Sequence, residues 1–265
     1  MREFNYYRAG SVRDAAKRLA AGGNAMLLAG GMTLLPALKM RFNQPSELID
    51  LAGINELRGI KLSRKGAHIG AATTHVEVAG NVELRAAVPV LSQVAESIGD
   101  PQVRNRGTLG GSVANNDPAA DYPAAALGLG ATIITNKRKI SADNFFVGMF
   151  ETALNAGEVV TEVLFPLPQR AGYAKFPNPA TRYALVGVCV AQFKSGVRVA
   201  VTGAGSSVHR LEDFEEALER DFSPGALEGI PVSAANLNDD MHASAEYRAQ
   251  LVGVMARRAV AMALD

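Results

Sequence analysis

The chain has 265 residues, 48% of them apolar, a formal net charge of +1, one cysteine and no tryptophan. A near-neutral chain offers no electrostatic case for nucleic acid or an anionic membrane. The single cysteine, Cys189, excludes an internal disulfide, a thiolate-held iron–sulfur cluster and any zinc site that needs several thiolates. No apolar run is long enough to span a bilayer, and Met1-Arg2-Glu3-Phe4 opens on charge rather than on the apolar core of a signal peptide. The expectation is a cytoplasmic protein with one large domain or two to three small ones.

In chain order, Val12, Ala15, Ala16, Leu19 and Ala20 fall on one face of a helix over 11–21, capped by Ser11 and ended by Gly22-Gly23. Met26-Leu27-Leu28-Ala29 reads as a buried strand running straight into Gly30-Gly31. A helix follows over 33–41, with Pro36 in its first turn, and then a strand over 47–51. The first fifty-odd residues therefore predict a small β-α-β-α-β unit. Segments 57–62 and 67–71 around Ser63-Arg64-Lys65-Gly66 predict a hairpin. Thr74 and Glu77 form a capping-box pattern. Val90, Leu91, Val94, Ala95 and Ile98 line a helix from Pro89, stopped by Gly99-Asp100-Pro101.

Arg104-Asn105-Arg106 leads into Thr108-Leu109-Gly110-Gly111-Ser112. After Asp121-Tyr122-Pro123 an Ala-rich helix runs to Leu129, then a strand over 131–135, a helix over 143–154 and a strand over 159–165. Pro166 and Pro168 mark a boundary within 167–172. Beyond it, segments 173–176, 185–193 and 197–203 read as antiparallel strands, with Ser195-Gly196 as the tight turn. Helices over 208–218 and 243–264 follow, the second with Tyr247, Leu251, Val254 and Met255 on one face. The expected division is 1–55, 56–168 and 173–265, the last an α+β domain.

Each Gly-Gly pair alone is an ordinary tight turn. Two such pairs, each beside a hydroxyl residue, instead suggest backbone amides exposed to an anion. Amides and hydroxyls bind a diphosphate without much protein charge, so the two motifs are read as closing on one dinucleotide. Gly203-Ala204-Gly205 is a poorer nucleotide candidate, since Val208 stands where glycine or alanine belongs and the strands before it read as a hairpin. His68, His75, His209 and His242 lack metal-ligand spacing and suit solvated or capping roles. No Ser/His/Asp order supports hydrolysis. Asp117 and Asp121 could act as an acid–base pair, cap the next helix or accept hydrogen bonds from a bound nucleotide. Arg104 and Arg106 are either phosphate partners or a solvated loop, and Tyr183 is either a core aromatic or a ring laid on a ligand.

Ala29-Gly30-Gly31-x-Thr33-Leu34-Leu35-Pro36, then Thr108-Leu109-Gly110-Gly111-Ser112, then Asn116-Asp117-Pro118-Ala119-Ala120-Asp121-x-Pro123 resembles the FAD-binding medium subunit of molybdenum hydroxylases, the group of carbon monoxide dehydrogenase and xanthine dehydrogenase. The resemblance covers essentially the whole chain. It implies an α+β fold: a vanillyl-alcohol-oxidase-type FAD-binding fold of two small subdomains plus a C-terminal α+β domain. It also implies that Ala29, Gly30, Gly31, Met32, Thr33 and Leu34 hold the pyrophosphate with their amides, and that Thr108, Gly111, Ser112 and Asn115 do so from the other side. Asp121 would hydrogen-bond the cofactor, Lys175 would lie near the flavin, and Tyr183 would shield one face of the isoalloxazine. Met32 departs from the His, Gln or Asn usual there and offers no side-chain hydrogen bond. The cysteine count rules out the family's variant with an inserted iron–sulfur cluster.

The implied function is that of an oxidoreductase flavoprotein subunit with no catalytic acid–base residues and no metal of its own. Its partners would be a large molybdopterin-binding subunit and a small iron–sulfur subunit, in a dimer of heterotrimers. Molybdenum cofactor and two-iron clusters would sit on those partners only. Electrons would pass from the clusters through FAD to quinone, NAD or oxygen, in the cytoplasm or at the inner face of the membrane through an acceptor. The rival readings are a stand-alone flavin oxidase or reductase, and a non-enzymatic assembly subunit with weakened FAD binding.

Overall fold

The computed structural model describes every residue except Gly22; the predicted end of the first helix at Gly22 lies outside the described residues. The β-α-β-α-β expectation holds. Strands Asn5–Arg8, Glu47–Asp50 and Ala25–Leu28 lie side by side in that order, all parallel. Helices Val12–Ala20 and Leu34–Lys39 connect them. Ser11 caps the first by accepting from the Asp14 amide at 3.1 Å, which satisfies one of the orphan donors of the first turn. Strand Ala25–Leu28 is half-buried rather than buried, because it is an edge strand with side chains facing a cavity.

The next unit is a five-stranded sheet in the order Ile60–Ser63, Gly66–Gly70, Val160–Phe165, Thr132–Thr135, Lys139–Ser141, every neighbour antiparallel. Leu57 stands outside the predicted hairpin, in the 3-10 turn Asn55–Leu57, since its carbonyl bends back to accept from the Ala72 amide at 2.8 Å. Short helices cover the sheet. The Thr74 capping box is present in both halves, and helix Pro89–Ser97 forms as expected.

The predicted helix over 143–154 is a correction. Only Ala142–Phe145 is helical, and a small hairpin of Phe146–Gly148 and Glu151–Thr152 replaces the rest. The apolar spacing was misleading: Phe145 is buried, but Met149 and Phe150 are exposed. Phe150 adopts φ +55° and Asn116 φ +44°. The Asn116 side-chain amide donates to the Gly148 and Glu151 carbonyls, both at 2.8 Å, and so pins the hairpin.

The C-terminal part is a four-stranded antiparallel sheet, Arg170–Pro177, Ala184–Phe193, Gly196–Thr202 and His209–Arg210 in that order. Helices Glu212–Arg220 and Ala245–Leu264 cover it. The helix predicted over 208–218 thus starts late, because His209 and Arg210 pair with Val201 and Ala200 instead. On the last helix the buried face carries Leu251, Val252, Met255, Ala256 and Ala259. Tyr247 is 44% exposed, so the buried stripe is rotated from the predicted one. Arg248 explains the rotation. Its buried guanidinium donates to the Leu185 and Gly203 carbonyls at 2.8 and 3.0 Å and to Asp240 at 2.8 Å, turning that side of the helix to the sheet.

Segment 118–120 joins the two regions. The Gly203 amide donates to the Pro118 carbonyl at 2.7 Å, and the Thr202 hydroxyl to the Pro118 and Ala120 carbonyls at 2.9 and 2.7 Å. Gly203 has φ +80°, and a Cβ there would lie 2.4 Å from the Ala184 carbonyl oxygen. Gly203 therefore serves close packing at the end of an antiparallel strand, not a nucleotide turn.

An ion pair between half-exposed Arg138 and buried Glu158 ties the turn after Thr132–Thr135 to the segment leading into the strand Val160–Phe165. Glu158 accepts from Arg138 Nε at 2.9 Å, from the Thr135 hydroxyl at 2.7 Å and from the Asn155 amide at 2.8 Å. Arg138 first, against the cost of burial, holds the Glu158 carboxyl down to about 2. A depressed folded value means stability that is present above the ordinary glutamate range and lost as pH falls toward 2. Chemical denaturation between pH 5 and pH 2 should show a loss on the order of 3 kcal/mol that is absent in Glu158→Gln.

Candidate functional site

The two glycine motifs meet. Strand Ala25–Leu28 delivers Gly30 and Gly31 against the end of helix Pro101–Arg106, so tightly that a Cβ on Gly30 would lie 2.0 Å from the Arg106 carbonyl oxygen and 2.8 Å from Gly107 Cα. Gly31 needs its freedom for another reason, φ +76°. On the second motif, a Cβ on Gly111 would lie 3.7 Å from Ala29 Cβ.

This second motif is not a turn. Gly110 and Gly111 lie in the first turn of helix Leu109–Asn115, capped by Thr108, whose hydroxyl accepts from the Gly111 amide at 3.2 Å. Gly110 is glycine because a Cβ would lie 2.4 Å from Ala71 Cβ. The first-turn amides are engaged within the protein, Leu109 with the Thr73 carbonyl at 3.0 Å, Gly110 with the Ala71 carbonyl at 2.9 Å and Ser112 with the Thr108 carbonyl at 3.0 Å, so this motif offers the cavity a bare backbone surface and hydroxyls rather than free amides.

Between the motifs lies a cavity of about 450 Å³, within the size range of small-molecule and cofactor sites. Ala29, Gly30, Gly31, Met32, Thr33 and Leu34 line one side; Thr108, Gly111, Ser112 and Asn115 line the other. Asp121 and Tyr183 also face it. Lys175 does not. It stands one layer back with all three ammonium hydrogens engaged: Asp121 Oδ1 at 2.9 Å, the Ser97 carbonyl at 2.9 Å and the Arg182 carbonyl at 3.0 Å. Asp121 also accepts from the Tyr173 hydroxyl at 2.5 Å. Burial raises the Asp121 carboxyl, against the pull of Lys175 and Tyr173. Asp117 is raised too, chiefly by burial, and its Oδ1 accepts from the Ala119 amide at 2.9 Å.

Tyr183 stands one residue before the strand Ala184–Phe193 and is 41% exposed, so it is a wall of the cavity rather than a core aromatic. Partial burial and then the Asp117 charge push its hydroxyl up, while Thr33, from the first motif, pulls it down. Arg104 and Arg106 are corrected. They lie on a helix, neither lines the cavity, and Arg104 is engaged with the Ile98 and Gly99 carbonyls at 2.9 and 3.1 Å.

His75 is also corrected. It is buried and lines the cavity rather than being solvated. Gly107, Val103, Ile98, Thr181 and Arg182 are further wall residues that sequence reasoning passed over. Only Gly107, beside the named motif, carried a signal there. Ser63, His68 and Glu162 form a hydrogen-bonded line of 3.1 and 2.7 Å despite lacking any recognisable order in sequence. None of them lines the cavity, and Ser63 also accepts from the Lys65 amide at 3.1 Å, so they lock the hairpin turn.

Residues 2–168 match the family described as FAD binding domain in molybdopterin dehydrogenase, and residues 171–263 the CO dehydrogenase flavoprotein C-terminal domain. The chain belongs to the FAD-binding flavoprotein family of the molybdopterin dehydrogenases. It is 34% identical over 269 residues to the nicotine 6-hydroxylase medium subunit of Paenarthrobacter nicotinovorans, covering 96% of this chain and 95% of that one. It is 34% identical over 274 residues to the carbon monoxide dehydrogenase medium chain of Hydrogenophaga pseudoflava, covering 97% and 96%. The structure matches reconstituted CO dehydrogenase from Oligotropha carboxidovorans with a TM-score of 0.92 at 31% identity, over 99% of this chain and 98% of that one.

The flavoprotein is thus an α+β, FAD-binding oxidoreductase subunit. Among the described residues no helix is long and apolar enough to cross a membrane, and no group of three or more His, Cys, Asp or Glu side chains is placed to hold a metal. FAD fits what is present. The close backbone approach at Gly30, the side-chain-free backbone at Gly110 and Gly111, and a lining of small and apolar residues whose charged members are Asp117, Asp121 and Arg182 suit an extended, diphosphate-linked cofactor.

Proposed function

We propose that this flavoprotein is the electron-transfer subunit of a heterotrimeric molybdenum hydroxylase. It would receive electrons from the iron–sulfur clusters of a small subunit and deliver them to an external acceptor, quinone, NAD or oxygen. A large molybdopterin-binding subunit would carry out substrate oxidation, and two heterotrimers would pair. Bound FAD supplies the electron uptake and release that no side chain here provides.

The chain's own work is to bind and orient. Ala29 to Leu34, with Thr108, Gly111, Ser112 and Asn115, would hold the diphosphate. Asp121 would take up a hydrogen bond from the ring, Lys175 would fix Asp121 from behind, and Tyr183 would cover one face. The same reading divides the chain at 1–55, 56–168 and 173–265. In its support, three buried clusters centre on Ile49, Leu51 and Ile54, on Leu91, Tyr122 and Phe165, and on Val188, Val199 and Met255, while Ala72 joins the first and Cys189, Ala191 and Ala200 join the second across the divisions.

The observation that carries the reading is the meeting of both glycine motifs along one cavity. A stand-alone oxidase needs convergent catalytic groups beside the ring. The ionisable side chains facing this cavity are few, and Asp121 is already bound to Lys175 and Tyr173.

The full chain, reconstituted with FAD and purified, should carry one flavin per chain. It should reduce an acceptor only when the small iron–sulfur subunit supplies electrons. Turnover of a small substrate by the isolated chain would favour the stand-alone reading, and failure to retain FAD the assembly reading that Met32 raises.

A further inference from the structure

Asp117 lines the cavity with half of its carboxylate unclaimed. Its Oδ1 accepts from the Ala119 amide at 2.9 Å. Among the described residues no ion pair and no second hydrogen bond reaches Oδ2, and that oxygen is not sealed in the interior. Asp121, a little later in the chain, differs: Lys175 stands 2.9 Å from it and the Tyr173 hydroxyl donates to it. Burial raises the Asp117 carboxyl, against the Ala119 bond, as fits a group withdrawn from water with a single partner. An acceptor left open in a partly buried wall is costly unless something else donates to it.

The chain around Asp117 is held in place. The Pro118 carbonyl accepts from the Gly203 amide at 2.7 Å and the Thr202 hydroxyl at 2.9 Å, and the Ala119 carbonyl accepts from the Ala184 amide at 3.2 Å. Along the lining, Gly111, Ser112 and Asn115 precede Asp117 and Asp121 follows it. Tyr183 and Thr33 complete the placement. Burial first and the Asp117 charge second push the Tyr183 hydroxyl up, ahead of the Asp121 charge, while a hydrogen bond with Thr33 pulls it down. Asp117 therefore faces the junction between the first glycine motif, to which Thr33 belongs, and the aromatic wall.

An ionised carboxylate accepts hydrogen bonds and donates none, so its ligand partner must be a donor. A diphosphate offers no donor and repels a carboxylate. The flavin ring offers chiefly acceptors, and its side of the cavity already has Asp121. The ribityl chain that links the two carries hydroxyls on its 2′, 3′ and 4′ carbons, each a donor. We propose that Asp117 is a cofactor-binding residue whose Oδ2 accepts a hydrogen bond from a ribityl hydroxyl, at the point of the wall between the residues assigned to the diphosphate and those assigned to the ring. This rests on the FAD reading above. The Ala119 amide fixes the carboxylate through Oδ1 and leaves Oδ2 for the ligand, and a bond to an ionised acceptor is among the stronger ones a neutral hydroxyl makes.

The test pairs cofactor analogues with variants of the full chain. FAD and analogues lacking the 2′, 3′ or 4′ ribityl hydroxyl are titrated and followed by flavin fluorescence. The wild type should bind one of these analogues about tenfold more weakly than FAD, from loss of one bond to a charged acceptor. Asp117→Ala should bind FAD about tenfold more weakly and should separate FAD from that same analogue by less than about twofold, because the bond can be lost only once. Asp117→Asn keeps an oxygen for the Ala119 amide, so it reports even if the alanine chain fails to fold, and its discrimination should fall to about threefold. A merely structural Asp117 would weaken FAD and the analogue alike and keep the tenfold ratio in both variants, which overturns the proposal. Wild-type protein that binds every analogue as it binds FAD overturns it as well. No FAD uptake by the wild type overturns the cofactor reading instead.

Discussion

A Gly30→Ala chain should lose FAD and about 3 kcal/mol of stability, the upper range for forcing an atom into a packed site. The added methyl would have to occupy space 2.0 Å from the Arg106 carbonyl oxygen, 2.6 Å from its carbon and 2.8 Å from Gly107 Cα. All three are backbone atoms, so no side chain can swing aside. Relief requires the first motif to part from the helix end that precedes the second, which widens the gap the diphosphate must bridge. Gly10→Ala is the control: a Cβ there meets nothing within 4 Å, so it should bind FAD as the wild type does and unfold within about 1 kcal/mol of it. Urea unfolding and FAD titration of both chains check this, and normal FAD affinity in Gly30→Ala would show that the two motifs are not both needed.

Lys175→Met should be nearly as damaging from a position that does not touch the cavity. The ammonium is 7% exposed at the side chain and is the only cation paired with Asp121 among the described residues, itself 5% exposed. Removing it leaves a buried carboxylate without its countercharge, a change that costs about 3–5 kcal/mol. For a chain of this size that corresponds to a melting temperature lower by roughly 10 °C. It also frees the Ser97 and Arg182 carbonyls, and Arg182 sits at φ +62° beside Tyr183. FAD bound to this variant should therefore fluoresce more than in the wild type, because the aromatic wall is no longer held. Lys175→Met with Asp121→Asn should recover much of the stability by removing the orphaned charge. If the single variant melts like the wild type, Asp121 is neutral in the folded chain and the ion pair is not what positions it.

Much of this could be seen in the sequence, and what could not follows a pattern. Elements with local signals came through: the Ser11 and Thr74 caps, the Ser195-Gly196 turn, the parallel strands before and after Gly30. The glycine pairs were visible, but their physics was split. Gly31 needs a positive φ, while Gly30 and Gly110 are glycines because a distant backbone comes close. Nothing in a linear sequence distinguishes those two demands.

The helix over 143–154 failed because Phe145, Phe146, Met149 and Phe150 repeat at helical spacing, whereas a tertiary partner, the Asn116 amide, decides the conformation. His75 was hidden for a similar reason. A lone histidine after a capping threonine reads as solvated until Gly107 and Tyr122 close over it. The three acceptors that claim the Lys175 hydrogens, Asp121 and the Ser97 and Arg182 carbonyls, likewise come from distant segments and leave no mark in the sequence.

Tyr183 and the hydrogen bonds from Thr202 and Gly203 to segment 118–120 have a consequence for how the protein is made. A nascent chain that has left the ribosome as far as residue 168 already owns both glycine motifs, yet it lacks Tyr183 and the Thr202 and Gly203 donors that hold the Pro118 and Ala120 carbonyls. The flavin compartment is finished only when the last third of the polypeptide has been synthesised and has docked. On the proposed cofactor reading, loading is expected to come late, after translation, and translation products arrested before the strand Ala184–Phe193 should emerge colourless.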